Sequence, residues 1–140
     1  MEAVVLKSFT YKGLGGNKAG VVILENEMPE AKMQSIATEL GFSETAFVKK
    51  VDEKNYEVRF FTPVCEVDLC GHATIAAFYY VGENLIENKS GNFKLYQNTK
   101  AGKLEIIINF NDNKVENVLM EQASPVFYGC VDEKEKSSYC

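Results

Sequence analysis

The stretch Arg59–Gly82, RFFTPVCEVDLCGHATIAAFYYVG, decides the fold. It opens on a strand, because Tyr56–Phe61 is rich in aromatic and β-branched residues. Thr62-Pro63 stops that strand, since proline has no N–H for a ladder and restricts the residue before it. A short acidic link, Glu66-Val67-Asp68, leads to Cys70-Gly71-His72 and then to a helical run. Ala73, Ala76, Ala77 and Tyr80 recur at i, i+3, i+4 and i+7. Ile75, Phe78 and Tyr79 make the other side apolar too, and a helix apolar all round is a buried one. The spacing predicts this helix over 73–81. The first amides of a helix lack internal partners and form an anion cradle. One segment therefore joins a thiol, the chain's single imidazole and a site for a carboxylate.

Upstream, Phe42–Val48 reads as a strand carrying a carboxylate. Period two puts Glu44 on one face with Phe42, Ala46 and Val48. A glutamate on an apolar face loses solvation unless its pKa rises, and that tuning suits a general acid/base; an edge glutamate is the plainer reading. A polar turn over 49–56 pairs this strand with 56–61 as a hairpin. Residues 29–40 form an amphipathic helix with Met33, Ile36, Ala37 and Leu40 as its buried stripe, Pro29 in its first turn and Gly41 as C-terminal cap. Val4–Thr10 and Val21–Leu24 read as strands around a glycine-rich loop, 11–20. That loop leads into a strand and matches no phosphate-binding fingerprint, so it reads as a tight hairpin needing positive φ. Downstream, Phe93–Asn98, Lys103–Phe110 and Val115–Glu121 read as strands, with turns at Gly102 and Asn111-Asp112-Asn113. Alternation in the last strand is imperfect. Charged and polar residues after Tyr128 read as a tail or linker.

The chain has 140 residues, a net charge of −5 and a single arginine, Arg59. Such a balance argues against nucleic acid as a partner, because phosphate neutralisation needs clustered Lys and Arg. No apolar run is long enough to span a bilayer. The N-terminus has no basic leader region, which favours a reducing, cytoplasmic location and disfavours a Cys65–Cys70 disulfide. One histidine and a Cys65-x4-Cys70 spacing do not make a zinc site, so no metal is expected.

RFFTP followed by EV-x-LCGHATIA resembles the PhzF family of isomerases, named for phenazine biosynthesis and related in fold to diaminopimelate epimerase. Other blocks agree in order. Ser43-Glu44-Thr45 matches a family motif whose glutamate is the acid/base. Gly16-Asn17-Lys18-Ala19-Gly20-Val21-Val22 matches a family segment with proline where Lys18 stands. Ala101-Gly102 and Pro125-x-Phe127 also fit. The resemblance implies one lobe of the epimerase-like α+β fold over 1–127, strands wrapped around a central helix, with 128–140 as tail or inter-lobe linker. Family members carry two such lobes with the site between them. The second lobe's Asp and Gly-Ser motif are not in this chain, which covers about half of a member.

The resemblance further implies proton transfer on a small carboxylate-bearing metabolite without a cofactor. Glu44 would move the proton. His72 would contact substrate, as would Asn17, Gly71 and Ala73, partly through backbone amides. Related enzymes use a cysteine before Gly-His or Gly-Asn as acid/base. Cys70 is therefore either a thiol activated by the helix dipole or a small buried hydrophobe. Cys65, Glu66 and Asp68 read as structural. A lone lobe is expected to cover its open face with a second copy, as a homodimer. The rival expectation is a non-catalytic half-lobe, either a binding or interaction module or a truncated gene product.

Overall fold

A computed structural model describes residues 2–8 and 17–120, with side chains from Val4, Val5 and 18–120. The strands are β1 (Glu2–Ser8), β2 (Asn17–Leu24), β3 (Glu44–Lys50), β4 (Asn55–Phe61), β5 (Glu66–Val67), β6 (Asn92–Thr99), β7 (Gly102–Asn111) and β8 (Lys114–Met120). The helices are α1 (Glu30–Leu40) and α2 (Gly71–Asn84). The sheet runs β1-β2-β3-β4-β6-β7-β8, with β5 added beside β4. Helix α2 touches β1, β2 and β3 on one side and β7 and β8 on the other, so the sheet curls around it. Helix α1 covers β3 and β4 from outside.

Sequence periodicity explains these layers. On β3, Ala46 and Val48 face α2 while Phe47 faces α1. Ala73, Ala76, Ala77, Phe78 and Val81 of α2 are buried against the inner sheet face. Small residues let the strands approach the helix closely. A Cβ on Gly82 would lie 2.6 Å from Val115 Cγ2 and 3.1 Å from Ile108 Cγ2. Tyr56 meets Phe78 edge to face at 5.7 Å, a geometry that adds ~0.5–1.5 kcal/mol beyond area burial. Outside, Met33 and Ala37 of α1 pack with Val22, Leu24, Phe47 and Phe61. Gly41 ends α1 in the left-handed region, φ 71°, and its N–H donates to the Ala37 carbonyl at 3.1 Å.

Several expectations shift. Helix α2 spans 71–84, longer than 73–81, and α1 starts after Pro29, which is its N-cap. The acidic link contains a two-residue strand, β5. Strand β2 begins at Asn17, paired with Ser8, so Gly20 lies inside the strand and not in a turn. A Cβ there would sit 3.0 Å from Thr45 Oγ1 on the neighbouring strand, so glycine serves close approach. The rest of the glycine loop lies outside the described residues, as does the predicted tail. The imperfect alternation of β8 has a cause: a register irregularity at Asn109/Phe110 leaves Glu116 unpaired and lets both Val115 and Val118 face inward. Asp112 (φ 53°) and Asn113 (φ 60°) form the β7–β8 turn.

Candidate functional site

Two crossings bring the site together. Strand β3 starts at Glu44, on the face that carries Ala46 and Val48 toward α2. Strand β4 lies antiparallel beside it and ends at Phe61 next to Thr45. Thr62 and Cys65 then close the turn: the Thr62 N–H donates to the Cys65 carbonyl at 2.7 Å, and the Cys65 N–H donates to Thr62 Oγ1 at 3.0 Å. Strand β5 folds back on β4, and Cys70 becomes the N-cap of α2. The start of α2 therefore arrives beside the start of β3.

The link is held by charge. Glu66, whose side chain is 6% exposed, accepts from Arg59 Nε at 3.1 Å and Nη2 at 2.5 Å. Lys100 Nζ adds a contact at 3.2 Å and Arg59 also reaches Glu30 at 3.0 Å. Burial pushes the Glu66 carboxyl up, but hydrogen bonds and attraction from Arg59 and Lys100 outweigh it and hold it below the usual range. Glu66 is structural, as its position in the link suggests. Asp68 is exposed on the pocket wall.

Glu44, Cys70 and His72 converge, their ligand-type atoms all within 4.8 Å of one another. His72 Nε2 lies 2.8 Å from Glu44 Oε2, and the Glu44 carboxylate also accepts a hydrogen bond from the Cys70 side chain. Ser43 Oγ is 3.4 Å from the same nitrogen. On the other side of the ring, Cys70 Sγ is 3.3 Å from Nδ1. Glu44 and Cys70 line a cavity of about 450 Å³ together with Glu66, Val67, Asp68 and Leu69.

Of the two readings of Cys70, its surroundings favour the enclosed thiol. Burial pushes its thiol up, to about 11, and the Glu44 carboxylate adds to the rise. The amides of Ala73 and His72 pull it down, but less. Desolvation beats the helix dipole because the sulfur is enclosed, with Cys70 only 9% exposed. At neutral pH the residue is a thiol, a proton donor beside a carboxylate. It is free of any disulfide, so a Cys65–Cys70 bridge does not form.

Of the remaining candidates, Gly71 begins α2 and Ala73 is fully buried with its amide at the sulfur. Asn17 starts β2, and its side chain lies outside the described residues. The Ser43 contact to His72 was missed by sequence reading; its place beside Glu44 was the available signal.

Residues 6–139 match the model of the phenazine biosynthesis-like proteins, PhzC-PhzF. The chain belongs to this family. Among relatives, the uncharacterized isomerase YfhB of Bacillus subtilis (strain 168) is 39% identical over 137 residues, covering 96% of this chain and 46% of that protein. A crystal structure of a PhzC/PhzF protein from Clostridium difficile (strain 630) shares 44% identity and aligns with a TM-score of 0.66, over 74% of this chain and 39% of that one. A predicted epimerase from Pseudomonas aeruginosa, 20% identical, aligns at 0.69 over 79% and 39% and shows the same fold. This PhzF-family chain spans less than half the length of these proteins. No helix among the described residues is long and apolar enough to cross a membrane.

Proposed function

We propose that this chain carries the proton-transfer half-site of a PhzF-type isomerase acting on a small carboxylate-bearing metabolite. The observation behind this reading is the approach of His72 to Glu44 and Cys70, which line a cavity beside the start of α2. Glu44 takes a proton from a carbon next to the substrate carboxylate and returns it at another position. His72 and the amides of Gly71 and Ala73 hold the substrate, with Asn17 as a further contact. Cys70, protonated at neutral pH, stands next to the carboxylate as a second proton carrier. No cofactor enters this scheme, because the proton leaves and returns on protein groups.

The test is exchange of substrate C–H for solvent deuterium across a panel of small carboxylic and amino acids, read by mass spectrometry. Glu44→Gln is nearly isosteric but cannot take a proton, and should slow exchange by ~10²–10⁴ with the fold intact. Unchanged exchange in that variant would remove Glu44 as the base.

The chain's partner in this reading is a second copy. Strands β1 and β8 end the sheet among the described residues, with Val5 and Leu119 half exposed on them. Open edges favour pairing, and two-fold closure would set two copies of the site toward one cleft. A second reading is a lobe that binds without turnover, favoured by the Cys70 thiol, which burial and the Glu44 carboxylate keep protonated at neutral pH. Ligand binding with no deuterium exchange in any panel member would favour it.

A further inference from the structure

A second cavity, of about 410 Å³, lies at the far end of α2 from Glu44 and His72, where Leu85 caps the helix and the β3–β4 turn comes beside it. Leu85, Ile86 and Phe93 give it apolar walls, and Tyr56 lines it from the core. We propose that this cavity binds a small apolar amine, its hydrocarbon body against those walls and its ammonium between Glu87 and the Tyr56 hydroxyl.

The unpaired hydroxyl of Tyr56 points to a ligand. The residue is only 1% exposed, and its ring is fixed edge to face on Phe78. Asn98 reaches Tyr56 at its backbone carbonyl, at 3.5 Å, but the hydroxyl makes no hydrogen bond among the described residues. A buried tyrosine O–H is ordinarily paired. Burial, then the Glu53 and Asp52 carboxylates, pushes this hydroxyl up to about 12, so it stays an O–H near the turn that carries both acids.

The rim selects the sign of the ligand. Lys50 Nζ lies 3.2 Å from Glu53, and the two charges cancel. Glu87 is exposed and has no ion-pair partner among the described residues. The lining therefore sets one cation against two carboxylates. That excess repels an anionic ligand and leaves a neutral one only apolar burial, whereas an ammonium pairs with Glu87 and donates a second hydrogen to the Tyr56 oxygen. The volume lies within the ~300–1,000 Å³ of small-molecule cavities.

The test titrates phenethylamine into the full chain labelled with ¹⁵N, with phenylacetate and phenethyl alcohol as anionic and neutral controls. Amide shifts should move at 50–56 and 85–93, with a Kd on the order of 1 mM. Phenylacetate and the alcohol should bind more weakly than the amine. Tyr56→Phe keeps the ring on Phe78 and should weaken the amine about two- to tenfold, while the free variant should be at least as stable as wild type by urea melt, because an unpaired hydroxyl has gone. Glu87→Gln should weaken the amine about two- to fivefold. If one variant does not fold, the other decides. No shift at these segments up to about 20 mM amine, phenylacetate binding as well as the amine, or unchanged affinity in either folded variant would overturn the site.

Discussion

Removing Arg59 tests how the site is held. Its guanidinium grips Glu66 through two nitrogens, touches Glu30 and lies 5.4 Å over the Phe61 ring. Arg59→Met keeps much of the stem's packing but strands a carboxylate whose side chain is 6% exposed. Breaking a fully buried pair costs about 3–5 kcal/mol. Arg59 is 32% exposed and Lys100 still reaches Glu66 at 3.2 Å, so the expected cost is about 2 kcal/mol. With a urea dependence of roughly 1–3 kcal/mol per molar, the unfolding midpoint should fall by about 1 M. Adding Glu66→Leu removes the stranded charge, and the double variant should recover to within about 1 kcal/mol of wild type.

The acid dependence has a definite sign. The folded wild type holds Glu66 below its usual 4.5, so the pair's stabilisation is present above about 4.5 and is lost as pH falls through the folded value. In Arg59→Met burial opposes the charge, so protonation is favoured and the penalty should shrink on acidification. Urea melts at pH 7 and pH 5 measure both effects. A single variant within 0.5 kcal/mol of wild type (roughly the noise of a surface substitution), or a double variant no better than the single one, would refute the reasoning.

Other expectations follow from the same packing. Gly82→Val must place atoms where a single Cβ already comes within 2.6 Å of Val115, so it should cost about 2–3 kcal/mol by urea melt, and an unchanged midpoint would show that β8 yields freely. In chelator, a Cys70 thiol titrating at about 11 is ~10⁻³ ionised at pH 8, so peptide-resolved alkylation should run at least about a hundredfold slower than for an ordinary exposed thiol, and a matching rate would contradict its enclosure. Because that folded value is raised from 9.0, its contribution to stability is complete below pH 9 and should decline as pH rises toward about 11, a slope that Cys70→Ser should remove. Sedimentation at micromolar concentration should show a dimer; a monomer at all concentrations would show that the sheet edges need no second copy.

The layers were legible where periodicity is strong. Alternation on β3 put Glu44 with Ala46 and Val48, and the stripe of Ala73, Ala76, Ala77 and Tyr80 on α2 announced burial, whereas Tyr79 on the other side is 44% exposed. What stayed hidden depends on partners distant in sequence. The two-residue strand β5 exists because Phe60 and Phe61 offer it an edge, and no local pattern in Glu66-Val67 could show that. The Gly20 expectation failed because close approach to Thr45 and positive φ both call for glycine, and the sequence does not say which applies. The parity break in β8 looks like noise until the β7 register supplies the unpaired Glu116.

The site shows a sharper limit. That Cys70 caps a helix is a local fact, and the dipole argument drawn from it is correct in sign: the amides of Ala73 and His72 do lower the thiol. The outcome turns on two opposing causes, desolvation by the walls and the nearby Glu44 carboxylate, which come from elements far along the chain. A thiol at a helix start is activated only when solvent or a cation is near; here the nearest charge is negative and the surroundings are apolar.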